Sequence, residues 1–255
     1  MMAHVKRLFL PASPLPWQTQ DTWVLEDAET LHHLVSVQRL KRYDTVVAVD
    51  LEQRQVFEAR VLHVDKKAIT LSDIHRRVES DTTPQVQVTL YASVLKEQAW
   101  DLLLQKASEL GVHRIQPMVT AHGVVALSHV ASKMNRWQRI LRDAALQCES
   151  FYIPALLAPQ RLEDLWELPT NTPSWVLMER SHEDFPHLQG ALHAAEPSTV
   201  AHLWVGPEGG WSTDEKEQFQ RHPLCRPCHL NARILRAETA ALVGLTLLLH
   251  GKGRT

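Results

Sequence analysis

Residues 203–215 read LWVGPEGGWSTDE and residues 230–240 read LNARILRAETA. The apolar run 203–205 predicts a buried strand that turns abruptly at Gly206-Pro207-Glu208-Gly209-Gly210. Ser212 then reads as a helix N-cap, with Glu215 three residues on as its reciprocal partner. A buried strand opening through a glycine-rich turn is where α/β proteins hold ligands. Gly209 and Gly210 leave the backbone open to close approach because neither carries a Cβ. In the second stretch Arg233 and Arg236 flank Ile234 and Leu235, and a helix starts near Glu238. Brought together, the two loops make a pocket with backbone donors on one side and two guanidinium groups on the other. No GxGxxG follows a first strand, and Gly-Trp-Ser lacks the lysine of a triphosphate-binding loop. The competing reading of GPEGG is a turn with no ligand.

Working outward, residues 85–255 alternate strands with helices, which predicts a parallel sheet with helices on its faces. Residues 86–94 read as a strand. In residues 97–110 the side chains Trp100, Leu103, Leu104, Ala107 and Leu110 share one helical face, and Gly111 is a natural stop. Trp137, Ile140, Leu141, Ala144 and Cys148 form a second such face, and residues 175–178 read as another buried strand. Nearer the N-terminus come short β-rich runs at 23–25, 45–49, 56–64 and 68–71, the pattern of a small barrel or sandwich. We therefore divide the chain into a β domain at residues 1–75, a polar linker at 76–84 and an α/β domain at 85–255. The last helix, residues 238–250, is apolar on nearly every side and must be buried all round, as a core helix or at a subunit interface.

Composition narrows the field. The chain has 255 residues, 44% of them hydrophobic, and a formal charge of −2, so nucleic-acid contacts must use local basic patches. No run approaches a membrane span, and a cytoplasmic address follows by default. Cys225-Arg226-Pro227-Cys228-His229, with His222 upstream, imitates haem-attachment or metal-ligand spacing. The four ligands are packed too tightly to close a structural zinc site, so we read the cysteines as incidental and expect no metal.

VGPEGGWSTDE and LNARILRAETA together resemble the paired C-terminal motifs of the RsmE-type 16S ribosomal RNA uridine-N3 methyltransferases, of the SPOUT class. The resemblance continues through Arg7-Leu8-Phe9, His32-His33-Leu34 with Arg39-Leu40, and Lys96 followed by residues 105–112, QKASELGV. It implies a C-terminal SPOUT domain with a deep trefoil knot, an N-terminal PUA-like β-barrel that binds RNA, and a homodimer with the knots at its interface. It also implies S-adenosylmethionine as methyl donor and 16S rRNA of the 30S subunit as substrate, with no metal and no membrane.

Carried over by position, the donor pocket takes Leu177, Met178, Glu179, then Gly206, Pro207, Glu208, Gly209 and Gly210. Its third wall is Leu230 with Arg233, Ile234, Leu235 and Arg236. Uridine N3 must lose its proton before it attacks, and a fixed cation facing a flanking carbonyl oxygen stabilises the resulting charge. Arg236 is the candidate for that cation and Arg7 the second. The base stays open, with Glu238 and Glu208 the nearest carboxylates. For RNA we expect Lys6, Arg7, Arg39, Lys41, Arg42 and Lys96, while Lys133, Arg136, Arg139 and Arg142 read as a solvated helix face. The sequence departs from the family at Ala121-His122-Gly123, where members carry a Glu-Arg pair. It departs again at Leu146-Gln147-Cys148-Glu149-Ser150, where they read Glu-Gln-Cys-Gly-Arg, at Asn231-Ala232 and at Ala237. Those departures leave open a SPOUT enzyme acting on another RNA site, or an RNA-binding homologue without turnover.

Overall fold

The computed structural model describes residues 6–10, 21–79, 83–167, 172–179, 185–230 and 233–251. The chain forms two compact units, residues 1–82 with 146–152, and residues 83–145 with 153–255.

The first unit contains β1 (Lys6–Phe9), β2 (Trp23–Leu25), α1 (Ala28–Leu31) running into a π-helical turn (His32–Val37), β3 (Thr45–Asp50), β4 (Gln55–Val64) and β5 (Ile69–Arg77). They form one mixed sheet in the order β1-β3-β4-β5-β2, in which only the β1–β3 pair is parallel. Val61, Ile69, Leu71, Val46 and Leu34 make its core. Register shifts at Glu58/Arg60 and Val61/His63 interrupt the alternation of β4, and such bulges bend a strand. The barrel expected from the strand pattern is not closed. Among the described residues the sheet stays open, its edges being strands of only four and three residues. The segment read as linker begins too early as well. β5 runs to Arg77, and Glu79 just beyond it pairs with Arg77 and Arg7.

Residues 146–152 belong to this unit rather than to the α/β domain assigned to them from sequence. There Glu149 holds φ +60°. Only glycine adopts the left-handed region without steric cost. Glu149→Gly should therefore stabilise the unit by about 1 kcal/mol, read as a thermal midpoint a few degrees higher. An unchanged or lower midpoint would count against strain at this position.

The second unit runs β6 (Gln87–Ser93), α2 (Glu97–Leu110), β7 (Arg114–Val119), α3 (Leu127–Ala131), α4 (Met134–Gln147), β8 (Ala155–Leu156), β9 (Gln160–Arg161), β10 (Ser174–Leu177), α5 (Leu188–Ala194), β11 (Val200–Val205), α6 (Thr213–Arg221), β12 (Cys225–Cys228) and α7 (Ala237–His250). Its seven strands are all parallel, in the order β12-β10-β11-β6-β7-β8, with β9 also on β7. Alternate residues feed two cores. Leu90, Ala92, Trp175, Leu203 and Val205 pack with α2 and α7 on one face. Tyr91, Val176, Met178 and Trp204 pack with Phe219 of α6 on the other. The register that opposes Trp204 to Tyr91 also stacks their rings, with centroids 3.9 Å apart. Gly244 lets α7 settle onto the sheet, since a Cβ there would lie 2.9 Å from Leu203 Cδ2.

His202 is buried in β11 against Ser174, 3.1 Å from its hydroxyl. Burial, then the charge of Arg114, hold its imidazole down to about 4. The folded protein thus binds this proton only below that value, whereas the unfolded chain binds it near 6.5. Stability is full above pH 6.5 and falls as the pH drops towards 4, by about 3 kcal/mol from this group at the end of that window. His202→Asn should flatten that slope in unfolding measured across the window. An identical slope in the variant would remove His202 as its cause.

Candidate functional site

The C-terminal ends of β10 and β11 and the N-termini of α2 and α7 surround a cavity of about 660 Å³ in the second unit. Open α/β sheets hold ligands at this edge. Leu177, Met178 and Glu179 line one wall, Gly206, Pro207, Glu208 and Gly210 a second, and Leu230 with Arg233, Ile234, Leu235 and Arg236 a third. Of the residues assigned to the donor pocket from sequence, Gly209 alone is outside the lining. It is instead closed from behind by His122, whose Cβ would lie 3.2 Å from a Cβ at Gly209. Asn231 and Ala232 lie outside the described residues.

Each wall is fixed by contacts that the local sequence does not reveal. Trp211 Nε1–H donates to the Leu177 carbonyl at 2.8 Å, tying the second wall to the first. Gly210 has φ +70°, and a Cβ there would sit 2.1 Å from Glu179 Oε1, so the Glu179 carboxylate packs directly on the glycine backbone. Glu208 Oε1 accepts from the Lys96 backbone N–H at 3.2 Å, at the start of α2. An anion there is stabilised by the positive end of the helix dipole. The capping box forms as read: Ser212 Oγ accepts from Glu215 N–H, and Glu215 Oε2 accepts from Ser212 N–H. The same buried Glu215 also accepts from Ala121 N–H at 2.8 Å, joining the loop after β7 to α6. His122 Nδ1 lies 3.2 Å from both the Gly209 and Gly210 carbonyls. His187 caps α5 by accepting from Gln189 N–H at Nδ1, which leaves Nε2–H to donate to the Leu230 carbonyl at 2.6 Å. Sequence reading gave no site role to His122, His187 or Trp211, although His122 marked a departure from the family. Their partners lie 87, 43 and 34 residues away.

Arg236 stands at the N-cap position of α7, exposed, with no side-chain capping bond. The alternative reading, a helix-start ion pair with Glu208 or Glu238, does not occur. Among the described residues Arg236 pairs with no carboxylate. Glu238 lines the cavity from the first turn of α7 and is only 9% exposed. Lys96, expected at an RNA surface, lines the cavity too.

Arg7 has different surroundings. In the first unit its guanidinium is buried, donating to Glu79 Oε2 at 2.9 Å and to the Glu149 carbonyl at 3.4 Å, with the Phe151 ring centroid 6.0 Å away. A guanidinium so occupied is a structural tie within the unit, unlike the exposed Arg236. Lys6 pairs with Asp44, and its hydrogen bond is the main cause that lowers the Asp44 carboxyl below its usual range. Arg39, Lys41 and Arg42 are exposed. On α4, Arg136 makes a two-pronged pair with Asp101, and Lys133 reaches Glu97.

The cysteine pair resolves structurally. Cys225 and Cys228 are three residues apart on β12, so they face opposite sides of the sheet and enter different cores. Burial pushes both thiols up to about 12. Neither thiolate chemistry nor a mutual disulfide fits that placement. Among the described residues no group of three or more His, Cys, Asp or Glu could hold a metal, and no helix is long and apolar enough to cross a membrane.

A ribosomal RNA small subunit methyltransferase E from Mesomycoplasma hyopneumoniae is 26% identical over 230 residues, 90% of this chain and 95% of its own length. The crystal structure of a Neisseria gonorrhoeae protein of the same name, bound to S-adenosyl methionine, superposes with TM-score 0.81 at 26% identity over 97% of this chain and 98% of its own. A Legionella pneumophila methyltransferase solved with bound SAM gives TM-score 0.83 at 25% identity over 96% and 97% of the two chains. The fold is thus that of the SPOUT methyltransferases. Residues 82–249, which hold the parallel sheet and both cavity loops, match the RNA methyltransferase domain, and the chain belongs to that family.

Proposed function

We propose that this protein is an S-adenosylmethionine-dependent methyltransferase of small-subunit ribosomal RNA, methylating N3 of a decoding-site uridine in 16S rRNA. The observation that carries the reading is the strand-end cavity, in a chain that superposes over nearly its whole length on relatives solved with bound SAM.

The cavity suits the donor. Its volume of about 660 Å³ lies within the range of small-molecule sites, about 300–1,000 Å³. Leu177, Leu230 and Leu235 offer apolar cover for a purine, and the Gly206–Gly210 backbone offers polar groups at close range. The carboxylates Glu179 and Glu208 oppose the cations Lys96, Arg233 and Arg236 around the rim. That mixture matches a ligand carrying a sulfonium, an ammonium and a carboxylate. Bound there, the donor supplies an electrophilic methyl group.

The remaining requirements fall to the chain's own residues. Arg236, unpaired among the described residues, stabilises negative charge on a uracil carbonyl oxygen as the N3 proton leaves. Glu238, buried at the cavity edge with Glu208 nearby, is the carboxylate positioned to take that proton. The walls hold donor and acceptor in line, which supplies most of what methyl transfer needs. A SPOUT enzyme acting on another RNA site is the second reading. It is favoured by His122, which stands among residues that replace the family's Glu-Arg pair and is committed to the Gly209 and Gly210 carbonyls. Calorimetric titration with S-adenosylmethionine tests the donor half, with one site per chain expected. Absence of binding would remove the methyltransferase reading.

We read the assembly as a homodimer, with the C-terminal loops knotted and the first unit serving RNA as a PUA-like module. The chain works in the cytoplasm, where ribosomal RNA is available. Support for the dimer comes from α7. One face packs on β6, β11 and α2, while Leu242, Val243 and Leu247 line an apolar groove with Leu110 on the outside. A second copy would cover it. Leu247→Glu should convert the dimer to a monomer in light scattering and remove most methyl transfer. A monomeric wild type would overturn the assembly.

A further inference from the structure

Among the described residues Tyr43 is the one aromatic side chain left exposed, at 56%. Its backbone is pinned. Tyr43 N–H donates to the Val61 carbonyl at 2.7 Å, and Val61 N–H donates to the Asp44 carbonyl at 2.9 Å. The turn is closed by Lys41 N–H donating to Asp44 Oδ2 at 2.8 Å. Within it Tyr43 holds φ +73°, a left-handed conformation that glycine or asparagine adopts at lower cost. A bulky ring kept at such a position, facing solvent, is a reason to look for what it binds.

Its neighbours indicate the ligand class. Arg42 Cζ lies 4.7 Å from the Tyr43 ring centroid, and Arg60 Cζ, reaching from β4, lies 5.6 Å from it. Arg39, also exposed, is four residues before Tyr43. Among the described residues none of these three arginines has a carboxylate partner. The one acid in the turn, Asp44, is already paired with Lys6. A half-exposed ring with two guanidinium groups over it presents flat surfaces, ring and guanidinium alike, and unneutralised positive charge together. Unpaired nucleotides offer the complement, a base for stacking and a phosphate for each cation. An acidic peptide would use the charges but leave the ring without a partner.

We propose that Tyr43, with Arg42 and Arg60, is a stacking platform for an unpaired RNA base, and that Arg39 meets the adjoining phosphates. The identity of the RNA rests on the function proposed above; the platform itself rests on the turn.

The test uses the full chain, a short fluorescein-labelled single-stranded RNA of mixed sequence, and 30S subunits lacking the modification. Tyr43→Phe should bind the RNA as the wild type does. Tyr43→Gly should bind about tenfold more weakly, with a thermal midpoint at or above the wild type because the backbone strain is relieved. Arg60→Gln should weaken binding and shallow the salt dependence by about one phosphate contact. S-adenosylmethionine binding should be unchanged in all three. Methyl transfer to 30S subunits by Tyr43→Gly should show a raised KM with kcat retained.

Wild-type RNA affinity in Tyr43→Gly overturns the platform, whatever the arginine variant does. Loss on Arg60→Gln alone means a purely electrostatic surface and overturns it too, as does a wild type that binds neither RNA. RNA binding that depends on Tyr43, without methyl transfer by the wild type, upholds the platform and removes the proposed enzymatic function.

Discussion

Arg236→Ala should lower methyl transfer by a factor of about 10²–10³ while S-adenosylmethionine binds within a few-fold of the wild type. The separation follows from position. Arg236 is at the N-cap of α7, exposed on the cavity rim, and pairs with no carboxylate among the described residues. It is a cation with no other evident task. In the proposed pocket the donor's contacts fall to Leu177, Leu230 and the backbone at Gly206–Glu208 and Gly210, which line the cavity independently of the guanidinium. The partial positive charge at the start of α7 remains, so some stabilisation of developing charge persists. Arg236→Lys keeps a charge but not the planar fork, and should fall between the two. Turnover unchanged in Arg236→Ala would leave the acceptor charge to another group. Loss of donor binding in parallel with turnover would assign Arg236 to the donor instead.

The second large effect is expected at Gly210. Gly210→Ala places a Cβ 2.1 Å from Glu179 Oε1 while holding φ at +70°. The backbone conformation alone costs a residue with a Cβ about 1–2 kcal/mol. The steric overlap is more serious, because the Glu179 carboxylate must leave its place on the cavity wall. Donor affinity should fall at least tenfold, and the thermal midpoint should drop with it. Glu179→Ala/Gly210→Ala removes the overlap and leaves the strain. It should regain part of the lost stability, whereas affinity stays low if Glu179 itself contacts the donor. An alanine at 210 that binds the donor normally would show the Glu179 carboxylate to be freely displaceable.

Much of this architecture is legible in the sequence, for reasons that differ by element. The helix read over residues 97–110 has those bounds in the structure, because its apolar face, its first acidic residue and Gly111 at φ +90° are all local signals. The same holds for the Ser212–Glu215 capping box. β12 was not legible. Its four residues, CRPC, contain a charge and a proline, tolerated because it forms one edge of the sheet. β7 hid for a related reason: Gln116 is buried within it, its side-chain amide satisfied by the carbonyls of Pro117 and Ala158. Closure of the N-terminal sheet could not be read from strand pattern, which gives the number of strands but not how their edges meet.

The site divides similarly. The loops at 206–210 and 233–236 announce themselves by composition, and the structure gathers them around one cavity. The ties that hold them do not, since they pair residues far apart in the chain. Arg7 shows the converse case. A cation in a matching motif suggests chemistry, yet its partner Glu79, 72 residues on, makes it part of the core.

The most direct measurement is methyl transfer from labelled S-adenosylmethionine to 30S subunits lacking the modification, with the product nucleoside mapped. Label at N3 of a single decoding-site uridine is the predicted result, and it joins donor, acceptor and reaction in one experiment. Donor binding with no label in 16S rRNA would contradict the proposed substrate and direct attention to the departures around His122 and Glu149.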